Sequence, residues 1–140
     1  MHEPTEPFSI LMVEDDRATA DMYAIALRRH GYAVQIATDG WGGLREALQR
    51  LPDLLLLDVH LPGLDGHSVL TLLRQCGDTA GPPTIMLSND ASPAVLRRNR
   101  ELGVVAHLVK YETTPGELCA AVRRWCQRRP AVRWAAPVNE

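Results

Sequence analysis

Lysine is almost absent from this chain: of 15 basic residues, only Lys110 is not an arginine. An excess of charge is missing too. The 17 acidic side chains leave a net charge of -2 over 140 residues, too balanced for a strongly basic nucleic-acid binder or an anchor on anionic lipid. No apolar run approaches the roughly 20 residues of a membrane-spanning helix. The segment Met1-His2-Glu3-Pro4 has neither the basic stretch nor the apolar core of a secretory signal, so a cytoplasmic chain is expected. Cysteine is scarce. Cys76, Cys119 and Cys126 are an odd set without metal-ligand spacing, and the last two fall two turns apart on one helix, beyond disulfide reach. Buried or half-buried thiols in a reducing compartment are expected. Internal repeats and low-complexity segments are lacking, and the length fits one domain.

What is present is a regular alternation. Residues 10–13 form an apolar run, expected of a parallel strand buried on both faces, and end in Glu14-Asp15-Asp16. Helical periodicity follows over 17–30, with Ala18, Met22, Ile25 and Ala26 on one side and Gly31 as the stop. A second strand spans 32–37. A helix from near Asp39 carries Leu44, Ala47, Leu48 and Leu51 on one face and ends before Pro52. Residues 54–57 are the most apolar stretch and end in Asp58. After a loop, Val69, Leu70, Leu73 and Cys76 align on a third helix. Strand 84–87 ends at Ser88-Asn89, Pro93 opens a weakly amphipathic helix to about Gly103, and strand 105–109 ends in Lys110. A last helix over 115–129 turns Leu118, Ala121, Val122 and Trp125 inward and stops at Pro130.

Five apolar strands alternating with five helices predict a doubly wound α/β domain of (βα)5, flavodoxin-like type. Right-handed crossovers covering both faces favour a five-stranded parallel sheet in the order 2-1-3-4-5. Its ligand crevice lies beyond the carboxyl ends of the strands. Glu14 and Asp15 end the first strand, Asp58 the third, Ser88 the fourth and Lys110 the fifth. Three close carboxylates need a countercharge. A hard divalent cation, Mg²⁺ or Mn²⁺, suits oxygen donors, and no His or Cys at these strand ends suggests a softer metal. Such a site fits phosphoryl transfer to a carboxylate, with Asp58 as nucleophile, Lys110 as a compact cation and Ser88 as a hydroxyl donor. Each residue alone is ordinary turn or cap chemistry; their joint placement on one sheet edge is what is specific.

Over residues 8 to 129 the sequence resembles the receiver domains of response regulators, the CheY-like superfamily. The matching segments are Ile10-Leu11-Met12-Val13-Glu14-Asp15-Asp16, Asp58 through Gly66, Pro83 through Asn89, and Gly103 through Lys110. The resemblance implies that Asp58 is the phosphoacceptor and Asp15 a direct metal ligand, with Glu14 acting through water. It further implies that the backbone carbonyl of His60 ligates the metal, Ser88 is the switch hydroxyl and Lys110 pairs with phosphate. The implied donor is a phosphohistidine on a sensor histidine kinase or phosphotransfer protein. The implied output is a downstream effector protein or a homodimer, with no direct contact to nucleic acid or membrane. Residues 1–7 and 130–140 are expected to be flexible tails, with no effector in this chain.

Three positions depart from the family pattern. Asn89 follows Ser88 where a small residue is common, a NarL-like feature. Tyr111 replaces the proline that often follows the lysine in a cis peptide, so a trans bond and a reshaped loop are expected. His107 stands where strand five usually carries an aromatic residue; it is either a half-buried polar side chain without consequence or a switch. In the second case Ser88 moves inward, residue 107 fills the vacated space, and the face of helix four, strand five and helix five changes shape. His60 and Asp90 overhang the site, either as solvated loop residues or as modulators of acyl-phosphate lifetime. Arg97, Arg98, Arg100, Arg123, Arg124, Arg128 and Arg129 read as solvated helix surface, with a docking patch for an acidic partner as the alternative.

Two other classes compete. A receiver-like interaction module that is never phosphorylated would keep the fold without the chemistry. An aspartyl-nucleophile phosphohydrolase would need Asp-x-Asp, and Asp58-Val59-His60 lacks the second carboxylate. A dinucleotide-binding domain fails, because Asp39-Gly40-Trp41-Gly42-Gly43 follows the second strand and lacks the Gly-x-Gly-x-x-Gly pattern.

Overall fold

A computed structural model of the chain describes residues 6–76 and 81–128. Five strands alternate with five helices: β1 (Ser9–Val13), α1 (Arg17–Arg29), β2 (Ala33–Ala37), α2 (Gly40–Gln49), β3 (Leu54–Leu57), α3 (Gly66–Gln75), β4 (Thr84–Leu87), α4 (Pro93–Leu102), β5 (Ala106–Leu108) and α5 (Pro115–Arg128). All strand pairs are parallel, and the order is β2-β1-β3-β4-β5, as the sequence predicts. Residues 1–5 and 129–140, most of the expected tails and Arg129 with them, lie outside the described residues, as does the side chain of Arg128. Among the described residues no helix is long and apolar enough to cross a membrane.

Alternation along the strands divides the core in two, since successive side chains leave opposite faces of a sheet. Leu11, Val13, Leu55, Leu57 and Met86 pack under α2 and α3, while Ile10, Met12, Leu54, Leu56, Ile85 and Leu87 pack under α1 and α5. The central strands β3 and β4 are buried throughout; the edge strands β2 and β5 are not. Strand five is accordingly shorter than its apolar run, and strand two starts after Tyr32, whose ring meets Phe8 edge-on at 5.9 Å.

The helix faces need correction. In α1 the buried stripe is Ala20, Tyr23, Ala24 and Leu27, whereas Met22 and Ile25 are about half exposed. Tyr23 takes the inward place because its hydroxyl donates to the Thr113 carbonyl at 2.7 Å, which removes the penalty for burying it. Leu48 in α2 and Leu51 just beyond it face solvent, while Gly40, Gly43, Leu44 and Ala47 are buried. The helix lies so near β1 that a Cβ on Gly43 would come within 2.7 Å of Val13, so small residues must line the contact. Cys76 is exposed at the end of α3, contrary to expectation; Cys119 is buried, Cys126 half-buried, and all three are free thiols. Trp125 is only half-buried.

The switch point and its acidic site

Register builds the site. Val13 pairs with Leu57, so the next residues, Glu14 and Asp58, emerge side by side, and the Asp58 amide donates to the Val13 carbonyl at 3.2 Å. Leu57 pairs with Met86 and Leu87 with Leu108, which brings Ser88 and Lys110 to the same edge. The Ser88 amide donates to the Leu108 carbonyl at 3.0 Å.

Glu14, Asp15 and Asp58 each offer a carboxylate oxygen within 4.8 Å of the others, with Glu14 and Asp58 buried and Asp15 exposed. The Lys110 ammonium lies 2.8 Å from Glu14 and 2.7 Å from Asp58. Burial pushes the Glu14 carboxyl above its ordinary range, against the opposing pull of Lys110. Burial also works to lower Lys110, but its hydrogen bonds to Asp58 and Glu14 outweigh that, and its pKa is raised. The two directions are compatible: the ammonium gains from two carboxylates at once, while those carboxylates share one ammonium. An all-oxygen trio is the donor set of a hard divalent cation.

A cavity of about 370 Å³ opens over Asp58, lined by His60, Ser88, Asn89, Asp90 and Lys110. A larger one, about 530 Å³, lies at the opposite ends of β1 and β2 and holds no acidic trio. Ser88 is buried, and its oxygen accepts the Asp90 amide at 3.2 Å. The His60 amide reaches Asp58 at 3.3 Å, while its ring Nε2 meets Asp90 at 2.6 Å across the mouth. That bond, with the Ser92 amide and hydroxyl, holds Asp90 down to about 2.

Two departures from the family pattern prove to be one device. The Tyr111 amide donates to the Asn89 side chain at 2.7 Å. A proline at 111 would have no proton to give, so the asparagine and the tyrosine suit each other. The backbone turns there through a 3-10 segment, Lys110–Glu112, and no cis peptide occurs among the described residues. The Tyr23 hydroxyl also contacts the Lys110 carbonyl, at 3.3 Å. Sequence reasoning missed Tyr23; its place between Ala20 and Leu27 on a helical stripe was the available signal. It also missed Asn99, the partner of His107, and His67, which bonds to Asn99 in turn. Arg97, Arg98, Arg100, Arg123 and Arg124 are exposed, and Arg98 is engaged by Glu101 at 3.3 Å.

The chain matches the family model of the response regulator receiver domain over residues 10–123. It belongs to that family and is a receiver domain of the two-component type. Among solved structures it is similar to a CheY-like receiver domain protein of Methanospirillum hungatei, with a TM-score of 0.81 and 25% identity over 88% of this chain and 96% of the other. It also resembles a putative response regulator of Chloroflexus aurantiacus, with a TM-score of 0.76 and 34% identity over 85% and 97%. Among named relatives, it is 39% identical to the transcriptional regulatory protein CseB of Streptomyces coelicolor over 82% of this chain and 46% of CseB. It is 44% identical over 79 residues to the DNA-binding dual master transcriptional regulator RpaA of Synechocystis, 56% of this chain and 33% of RpaA. The chain thus spans half or less of the length of these two relatives.

Proposed function

We propose that this receiver is a phosphorylation-driven switch with Asp58 as the phosphoacceptor. The observation that carries the reading is the Lys110 ammonium held between Glu14 and Asp58, with Asp15 beside them. An Asp58 oxygen attacks the phosphorus of a phosphohistidine on a sensor histidine kinase or phosphotransfer protein. The phosphorus–nitrogen bond breaks, its electron pair stays on the departing imidazole, and an acyl phosphate forms. Lys110 balances charge on the phosphoryl oxygens, and the Ser88 hydroxyl proton is available to one of them. Glu14, Asp15, Asp58 and the His60 carbonyl would hold Mg²⁺ or Mn²⁺. Bound there, the ion screens the charge that gathers as donor and carboxylate approach. The chemistry is confined to the protein's own aspartate; it turns over no separate substrate. The reading places the chain in the cytoplasm, with output through the face of α4, β5 and α5 to an effector protein or a second copy.

Incubation with Mg²⁺ and acetyl phosphate, followed by intact-mass analysis, tests this. A phosphate adduct on the wild type and none on Asp58→Asn is expected. No adduct on either would leave an interaction module, and turnover of unrelated phosphate esters would favour a hydrolase.

The His60–Asp90 bridge leads to a second expectation. It spans the mouth through which water reaches the acyl phosphate, so Asp90→Ala should shorten the phosphoryl lifetime several-fold, with His60→Leu acting in the same direction. Adduct decay by intact mass measures both; unchanged decay would reduce the pair to solvated loop residues.

A further inference from the structure

Helix α4 is held to the sheet by an unusual contact. Among its described residues only Val95 and Asn99 are buried, and Asn99 is 5% exposed. The Asn99 amide joins two imidazoles on different elements. Its oxygen lies 2.7 Å from His67 Nε2 on α3, and its nitrogen lies 2.9 Å from His107 Nδ1 on β5. A carboxamide oxygen only accepts and its nitrogen only donates. His67 therefore carries a proton on Nε2, while His107 presents a lone pair on Nδ1 and keeps its own proton on Nε2. That second nitrogen is buried and makes no hydrogen bond of ordinary geometry.

This polarity leaves no room for a second proton on His107. Protonated at Nδ1, His107 would aim N–H at the Asn99 amino group. Turning the amide around would restore that contact only if His67 moved its proton to Nδ1. One proton thus breaks the chain or reverses all of it. A cavity of about 210 Å³, lined by Leu96, Arg100, Val104 and Ala106 with Asn99 and His107, gives the loosened parts space to move.

We propose that His67, Asn99 and His107 form a proton-sensitive latch that fixes α4 against β5 and releases it on acidification. The latch does not depend on chemistry at Asp58.

The charges around His107 set the sign. Burial lowers its pKa most strongly; the Ser88 carbonyl, Asp90 and Asp58 pull it upward, and His67 pushes it down. Arg100 on α4 lines the same cavity. The net shift is downward from 6.5. Above that value folded and unfolded states bind the same protons at this site; as pH falls below it, the unfolded state binds more, and stability declines towards the folded pKa.

The test uses the full chain without phosphodonor. Amide exchange of the 93–102 segment, corrected for intrinsic rates, is compared between pH of about 7.5 and about 5.5, the range where histidine charges. Wild-type α4 should lose protection by about ten-fold more than the sheet does, as local opening allows, and His107→Phe should abolish that difference. Imidazole nitrogen shifts of the wild type, which need no variant, should identify the Nε2-protonated neutral form of His107 at the higher pH. Equal loosening in wild type and His107→Phe, no loosening in either, or an Nδ1-protonated His107 would overturn the latch.

Discussion

Lys110→Met is expected to cost about 3 kcal/mol of stability, the lower end for breaking a buried ion pair, because the site opens on one side to water. The ammonium is the shared neutraliser of two carboxylates whose side chains are 3% and 7% exposed, and it is itself 15% exposed. Without it, Glu14 and Asp58 face each other as like charges in a site that hydrates them poorly. Adding Glu14→Gln to the methionine variant should therefore recover part of the loss, a coupling that a double-mutant cycle in urea measures directly. Phosphoryl uptake at Asp58 should slow on the order of a hundred-fold, as when one fixed electrostatic partner of a reacting centre is removed. Lys110→Arg should restore stability better than uptake, since a planar fork replaces a compact charge in a crowded space. An unchanged urea midpoint in Lys110→Met would mean that the acidic pair is already neutralised by solvent, and the electrostatic account of the site would fail.

The carboxyl edge of the sheet was legible in the sequence for a physical reason. Strands buried on both faces must be apolar throughout, so the first charged residue after each run marks where the chain leaves the sheet. Leu54 to Leu57 followed by Asp58, and Val13 followed by Glu14, need no further information. The single lysine among arginines pointed the same way, and Lys110 does lie between Glu14 and Asp58. Helix faces were less legible. Met22 and Ile25 outrank Tyr23 in hydrophobicity, and only the carbonyls of Lys110 and Thr113, far along the chain, make room for the tyrosine hydroxyl. Small residues in α2 are chosen by the distance to Val13, a quantity that no periodicity contains. The Asn89–Tyr111 bond and the His67–Asn99–His107 chain are pairings between loops or elements remote in sequence. The residues involved were singled out as departures or passed over, because a polar side chain declares its partner only after the strands are in register.

Gly66→Ala should be among the most damaging small substitutions outside the acidic site, costing about 3 kcal/mol or more, at or beyond the usual range for overpacking. Gly66 opens α3, and its amide donates to the Val59 carbonyl at 2.7 Å. The helix therefore begins almost against the backbone of the phosphoacceptor segment. A Cβ there would lie 2.0 Å from the Asp58 carbonyl oxygen and 3.1 Å from the Val59 Cα. No rotamer relieves the clash, because the obstructing atoms are backbone atoms. Either α3 withdraws, opening the core at Val69 and Leu70, or the turn after β3 shifts and carries the Asp58 carboxylate away from Lys110. The first route lowers stability and the second lowers phosphoryl uptake, so thermal melting and acetyl-phosphate labelling together separate them. The melting point should fall by about 10 °C or more for a domain of this size. Gly116→Ala is the control: its added Cβ meets only the Thr114 hydroxyl at 4.0 Å, and alanine in a helix is favoured over glycine by up to about 1 kcal/mol. That variant should melt at or above the wild type. A Gly66→Ala protein that melts and labels like the wild type would mean that α3 has slack against Asp58, and that the site is not held to its position by the helix behind it.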